Sequence, residues 1–174
     1  MVSHNKAQQA DLRRLCAALG EIVNVSSFVE TTYNLFESFD KPEHATNIDH
    51  CEECRDHNDE VNGVNRRDLS PEQIGTVCWG ISSFLTPQAT GYYIPRLIEL
   101  AVTGQDDKDG DPYMCLFINQ IGLNSESEQF SLLTNEQRLA VCNSLGILKN
   151  SYIQLLIEHC WEDEIDNAIT QWTT

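Results

Sequence analysis

Thr86-Pro87-Gln88-Ala89-Thr90-Gly91-Tyr92-Tyr93-Ile94-Pro95-Arg96-Leu97-Ile98-Glu99-Leu100-Ala101-Val102-Thr103-Gly104 reads as one helix with both ends marked. Thr86 is a cap whose hydroxyl accepts a free amide of the first turn, and Pro87 fills the first helical position, where no amide is needed. Ala89, Tyr92, Tyr93, Ile94, Leu97, Ile98, Leu100 and Ala101 supply apolar bulk, and the element ends near Gly104. Pro95 falls inside it and predicts a kink. The tyrosine pair beside a kink can shape a groove, but packing into the core is the preferred reading, since Tyr buries its ring and keeps its hydroxyl bonded.

The same grammar recurs on both sides. Ser70-Pro71-Glu72-Gln73 combines a Ser cap, a Pro at the first position and a capping-box Gln, and predicts a helix carrying Ile74, Val77, Cys78 and Ile81. Thr134-Asn135-Glu136-Gln137 is a second capping box, whose helix runs through Leu139, Val141, Cys142 and Leu145 up to Gly146. Leu12, Leu15, Cys16 and Leu19 form one stripe of a helix over 5–19. Residues 21–39 mix β-branched Ile22, Val23 and Val25 with Phe28, Val29, Leu35, Phe36 and Phe39, and read as helix. Residues 112–121 read as a short apolar helix. The last helix carries Leu148, Tyr152, Leu155, Leu156, His159 and Cys160, and continues or breaks before Ile165, Ile169 and Trp172. His159 beside Cys160 on that stripe reads as a satisfied core pair. Hairpin signals are sparse. The expectation is an all-α fold: one compact domain of six to eight helices, with N-terminal helices over 1–45, a Cys/His motif and central helices over 46–104, and acidic loops and C-terminal helices over 105–174.

A chain of 174 residues with 41% hydrophobic content is long enough for one real core. The start, Met1-Val2-Ser3-His4-Asn5-Lys6, opens no apolar leader, and no apolar run approaches the ~20 residues that span a bilayer. These features, with 7 cysteines spread along the chain, predict a soluble cytoplasmic protein with reduced thiols. The net charge of −16 argues against unaided binding to nucleic acid or anionic membrane, because phosphate is neutralised by Lys and Arg. It suits high solubility, or docking onto a basic surface. Charge is uneven: 71–104 carries a net −1, whereas 105–136 carries a net −6. The near-neutral segment is the expected core.

Asp49-His50-Cys51-Glu52-Glu53-Cys54-Arg55-Asp56-His57 concentrates soft metal ligands as no other stretch does. On a helix capped by Asp49 and ending near Gly63, Cys51 and Cys54 share a face, as do His50, Cys54 and His57. Zinc in structural sites takes four Cys or His ligands. One ion could be held locally by His50, Cys51, Cys54 and His57, or by the two thiols, one imidazole and a distant ligand. The plainer alternative is a half-buried thiol pair on a surface helix. A redox role for Cys51 and Cys54 is disfavoured, since Asp49, Glu52, Glu53 and Asp56 surround them and oppose a thiolate unless a cation is near. Gln105-Asp106-Asp107-Lys108-Asp109-Gly110-Asp111 imitates a calcium loop, but with Gly110 at position six, position twelve is Leu116, where a bidentate Glu is required. An exposed acidic loop is expected instead.

His50-Cys51-Glu52-Glu53-Cys54, followed by Ser83-Phe84-Leu85-Thr86-Pro87-Gln88-Ala89 and Tyr92-Tyr93-Ile94-Pro95, resembles an uncharacterised bacterial domain family. That family pairs an H-C-x-E-C stretch with an F-L-T-P-x-A-x-x-Y-Y-x-P block. The likeness covers roughly residues 45–102. A Trp of the family between the blocks is missing here, Val64-Asn65-Arg66-Arg67 standing in its place, with Trp79 nearby. The resemblance implies a helical fold and a linked Cys/His site, and no activity.

No catalytic signature is present: no G-x-S-x-G, no H-E-x-x-H, no phosphate-binding glycine loop, no dinucleotide fingerprint and no deaminase motif. A binding protein is therefore expected rather than an enzyme. The leading reading is a small acidic protein that blocks a basic partner, such as an immunity-type inhibitor seated on a bacterial toxin or nuclease. Asp106, Asp107, Asp109 and Asp111, or Glu162, Asp163, Glu164 and Asp166, would face that partner's cations. The alternative is a zinc-dependent enzyme, or a zinc-stabilised assembly subunit, built on Cys51 and Cys54.

Overall fold

Asn24 opens the first helix of the computed structural model, which describes residues 24–76, 80–107 and 109–173. Its side-chain oxygen accepts the amides of Ser26 and Ser27 and so starts α1, Val25–Leu35. There follow α2 (Glu52–Val61), a one-turn α3 (Pro71–Ile74), α4 (Pro87–Val102), α5 (Tyr113–Phe117), α6 (Asn135–Ser151), α7 (Ile153–Glu158) and α8 (Glu162–Trp172). Extended pairing among the described residues is confined to the isolated bridges Thr46–Leu85, Gly75–Gly80 and Asp106–Pro112. The described residues form one all-α domain, as the capped starts predict. The helix expected over 5–19 lies outside the described residues.

α4 is the hub. It packs against α1, α5, α6 and the short turns at Arg66–Asp68 and Glu128–Phe130. Twelve of its residues are buried, Tyr92, Tyr93 and Pro95 among them, and the helix runs on through Pro95. The tyrosines are core residues, not groove walls. Tyr93 donates its hydroxyl to the carbonyls of Val61 and Val64, tying α2 to α4. Tyr33 donates to Glu99 at 2.6 Å, tying α1 to α4.

Burial of the Tyr93 phenol pushes its pKa up to about 12; burial, then the bond to Glu99, raises that of Tyr33, and burial alone raises that of Tyr113. An unfolded tyrosine ionises near ~10. The folded state thus favours the neutral phenols, and the Tyr93 contribution is full below ~10 and is lost as pH climbs through about 12. Tyrosinate absorbance is expected to show these rings ionising only together with loss of helical circular dichroism. Smooth titration of all five tyrosines while the helices persist would contradict this packing.

Three expected elements differ from the structure for local reasons. The helix begun at Ser70 is one turn long, because Gly75 takes a φ of 98°, a left-handed conformation open to glycine that stops the helix. Val77 and Cys78, expected on it, lie outside the described residues. α6 does not stop at Gly146 but continues to Ser151, since Gly146 is buried in its middle. The last helix breaks between α7 and α8. There Cys160 adopts a φ of 58°, and both His159 and Cys160 are exposed, so they are a surface turn and not a core pair.

Candidate metal centre

Cys51 is itself the cap of α2, two residues beyond the expected Asp49. Its sulfur accepts the amide of Cys54 at 3.4 Å and lies 3.3 Å from the Cys54 sulfur. The chain enters through a clamped strap. Thr46 donates its hydroxyl to the Cys54 carbonyl, the Ala45 amide donates to the Asn58 side chain at 2.9 Å, and the Thr86 amide donates to the Ala45 carbonyl at 2.9 Å. A turn closed by the His50 amide on the Asn47 carbonyl then swings the imidazole back, leaving His50 Nδ1 3.5 Å from Cys54 Sγ. Ligand atoms of His50, Cys51 and Cys54 all lie within 4.8 Å of one another. His50 is exposed, Cys51 half-buried and Cys54 buried, so the group opens to solvent on one side.

Of the four ligands read from sequence, the structure brings together three. His57 sits one turn further along α2, buried, with its ring 4.7 Å from that of Phe84 and Nδ1 3.4 Å from Glu60. Helical spacing alone put it on the ligand face; the apolar contact with Phe84 holds it in the core instead. No fourth His, Cys or carboxylate joins the trio among the described residues.

The two thiols differ. Bonds from the Cys54 amide and thiol, with His50 alongside, lower the pKa of Cys51, whereas burial raises that of Cys54. The acidic surroundings that argued against a thiolate are thus opposed locally by the amide at the start of α2. Beside the sulfurs lies a shallow depression lined by Cys51, Glu52, Glu53, Asp56, His57 and Glu60.

The expected docking carboxylates are placed as follows. Asp106, Asp109 and Asp111 are exposed, but Asp107 turns inward, its Oδ1 accepting the amides of Asp109 and Asp111 and its backbone closing the loop. Glu162, Asp163 and Asp166 are exposed and Glu164 half-buried, and Asp166 pairs with Lys149. Sequence reading set Glu52, Glu53 and Asp56 around the thiols but gave α2 no docking role, although its exposed carboxylates Glu52, Asp56, Asp59 and Glu60 fall at spacings that share one helix face. Their helical spacing was visible in the Cys/His stretch all along.

Each described cation is engaged by the chain itself. Lys41 donates to the Gly63 carbonyl, Arg55 to Ile48, Arg66 to Phe36 and Arg138 to Ser125. Arg67 pairs with Glu30, Arg96 with Glu99 and Lys149 with Asp166. Arg67 also lies 3.8 Å over the Tyr33 ring. Three of the seven described Lys and Arg thus pair with carboxylates, and the other four bond backbone carbonyls. No helix of the described residues is long and apolar enough to cross a membrane.

No family model, characterised protein or solved structure matches the chain.

Proposed function

We propose that this protein binds one zinc ion through His50, Cys51 and Cys54 and presents the carboxylates beside it to a basic protein partner. The observation that carries the reading is the convergence of one imidazole and two thiols within 4.8 Å at the capped start of a helix. Thiolates and imidazole suit zinc, and two negative sulfurs offset the ion's charge. Exposed Glu52, Asp56, Asp59 and Glu60 then form a row of anions on α2 that takes part in none of the Arg and Lys ion pairs of the described residues. A positively charged cleft, such as that of a nuclease toxin, is the surface this row complements, and an immunity-type inhibitor is the role it fits.

Three ligands leave one position of a tetrahedral ion open, and that favours a second reading. A water there, with Glu53 and Glu60 lining the depression that Cys51 also lines, would supply the parts of a zinc hydrolase.

Chelator-stripped protein is expected to take up one zinc, and its cobalt form to show thiolate charge-transfer bands. Cys51→Ser should weaken binding by more than the ~100-fold upper range for loss of an outer-shell partner. His57→Phe should leave affinity unchanged. Failure to bind zinc at all overturns both readings. Affinity capture from the source cell tests the partner: a basic protein that elutes as salt rises is expected, and retention indifferent to salt counts against docking by charge.

A further inference from the structure

Zinc binding uses the two sulfurs as ligands; their arrangement also fits them for chemistry of their own. Cys51 is half-buried at the open start of α2, and Cys54 is buried one turn behind it. The two sulfurs are 3.3 Å apart, against the ~2.05 Å of a formed bond, so closure needs a movement of little more than an ångström. A surface thiol whose sulfur accepts the helix's own amide, backed by a buried thiol within bonding reach, is the geometry of an attacking and a resolving cysteine. The other described cysteines lack it: Cys115 and Cys142 are buried, and Cys160 stands exposed on a separate turn.

We propose that Cys51 and Cys54 form a dithiol–disulfide exchange site for small disulfides that carry positive charge, with Cys51 attacking and Cys54 resolving. In the first step the Cys51 sulfur, as thiolate, attacks one sulfur of the external disulfide. The external S–S bond breaks, a mixed disulfide forms, and the departing thiolate takes a proton from water. In the second step Cys54 loses its proton to solvent and attacks Cys51 Sγ, the mixed disulfide breaks, and the expelled thiolate takes a proton from water to leave as a second thiol. Two electrons and two protons pass outward. The external disulfide is reduced to two thiols, and the protein pair is oxidised to one internal disulfide.

Charge selects the substrate. The depression onto which Cys51 opens is lined by Glu52, Glu53, Asp56 and Glu60. An anionic disulfide is repelled at that mouth and a cationic one drawn to it.

The proposal uses the same sulfurs as the zinc reading but does not need zinc. The test takes the full chain, as isolated and after chelation, and treats it with cystamine, neutral hydroxyethyl disulfide or glutathione disulfide at low salt. Peptide mapping should find Cys51 joined to Cys54. Cystamine should close the pair about tenfold or more faster than glutathione disulfide, with the gap shrinking as salt rises. Cys54→Ser should stop at a cystamine adduct on Cys51, and Cys51→Ser should carry no adduct on Cys54. Closure in chelated protein that never bound zinc supports the exchange site while overturning the metal reading. A pair that stays reduced in chelated protein overturns the exchange site, as does first attack at Cys54. Equal rates for the three disulfides overturn the charge selection.

Discussion

Gly91→Ala is expected to lower the stability of the domain by about 1–3 kcal/mol, although alanine is the better helix former by ~1 kcal/mol. Gly91 lies in the buried middle of α4. A Cβ there would meet three ring carbons of Phe39 at 2.1, 2.2 and 2.4 Å, distances no packed carbon tolerates. The ring has little room to retreat, being stacked on Phe36 at 6.2 Å between centroids, with Phe36 fully buried. Steric cost therefore overrides propensity. Urea unfolding should show a lower midpoint with an unchanged slope. Phe39→Leu placed in the Gly91→Ala background should recover part of the loss, and a double-mutant cycle measures how much. A midpoint raised by Gly91→Ala would show that Phe39 does not lie on α4.

Trp172→Ala is expected to cost more, about 3–5 kcal/mol, through a cavity at the end of α8. The indole is 5% exposed and edge-on to Phe130 at 5.0 Å, with the Arg138 guanidinium 4.8 Å over its face. Its Nε1 donates to the carbonyls of Ile121 and Gly122 at 3.2 and 3.0 Å, where α5 runs out in the wide turn Ile118–Gly122. The Ile121 carbonyl keeps the Asn124 amide as a second donor. Trp172→Phe retains most of the packing and removes the donor, so it should lose only about 1–3 kcal/mol. Equal losses in the two variants would mean that the indole hydrogen bonds, not the ring's volume, hold α8 to the domain.

What could be read from sequence here was local. Thr86, Ser70 and Thr134 marked helix starts because a cap is a contact between neighbours, and each start stands where it was read. Helix ends were less legible. Gly75 stopped a helix and Gly146 did not, and the difference is tertiary: one turns the chain out of a short element, the other is buried in the middle of α6. The site divides in the same way. Proximity along the chain placed His50, Cys51 and Cys54 together, but a ring from residue 84 decided where His57 went. Cys51 as the cap was hidden because thiols are uncommon there, and Asp49 was the conventional choice. His159 and Cys160 were misplaced because an apolar stripe continued past a left-handed residue that no pattern announced.

Cys51 holds two offices with a single sulfur: it ends the strap from Ala45 and it begins α2. A sulfur drawn into a bond with Cys54 becomes a poorer acceptor, and the Cys54 amide loses its anchor. The acidic residues of that first turn are Glu52 and Glu53. Closing the proposed disulfide would therefore act at the start of the helix from which those anions project.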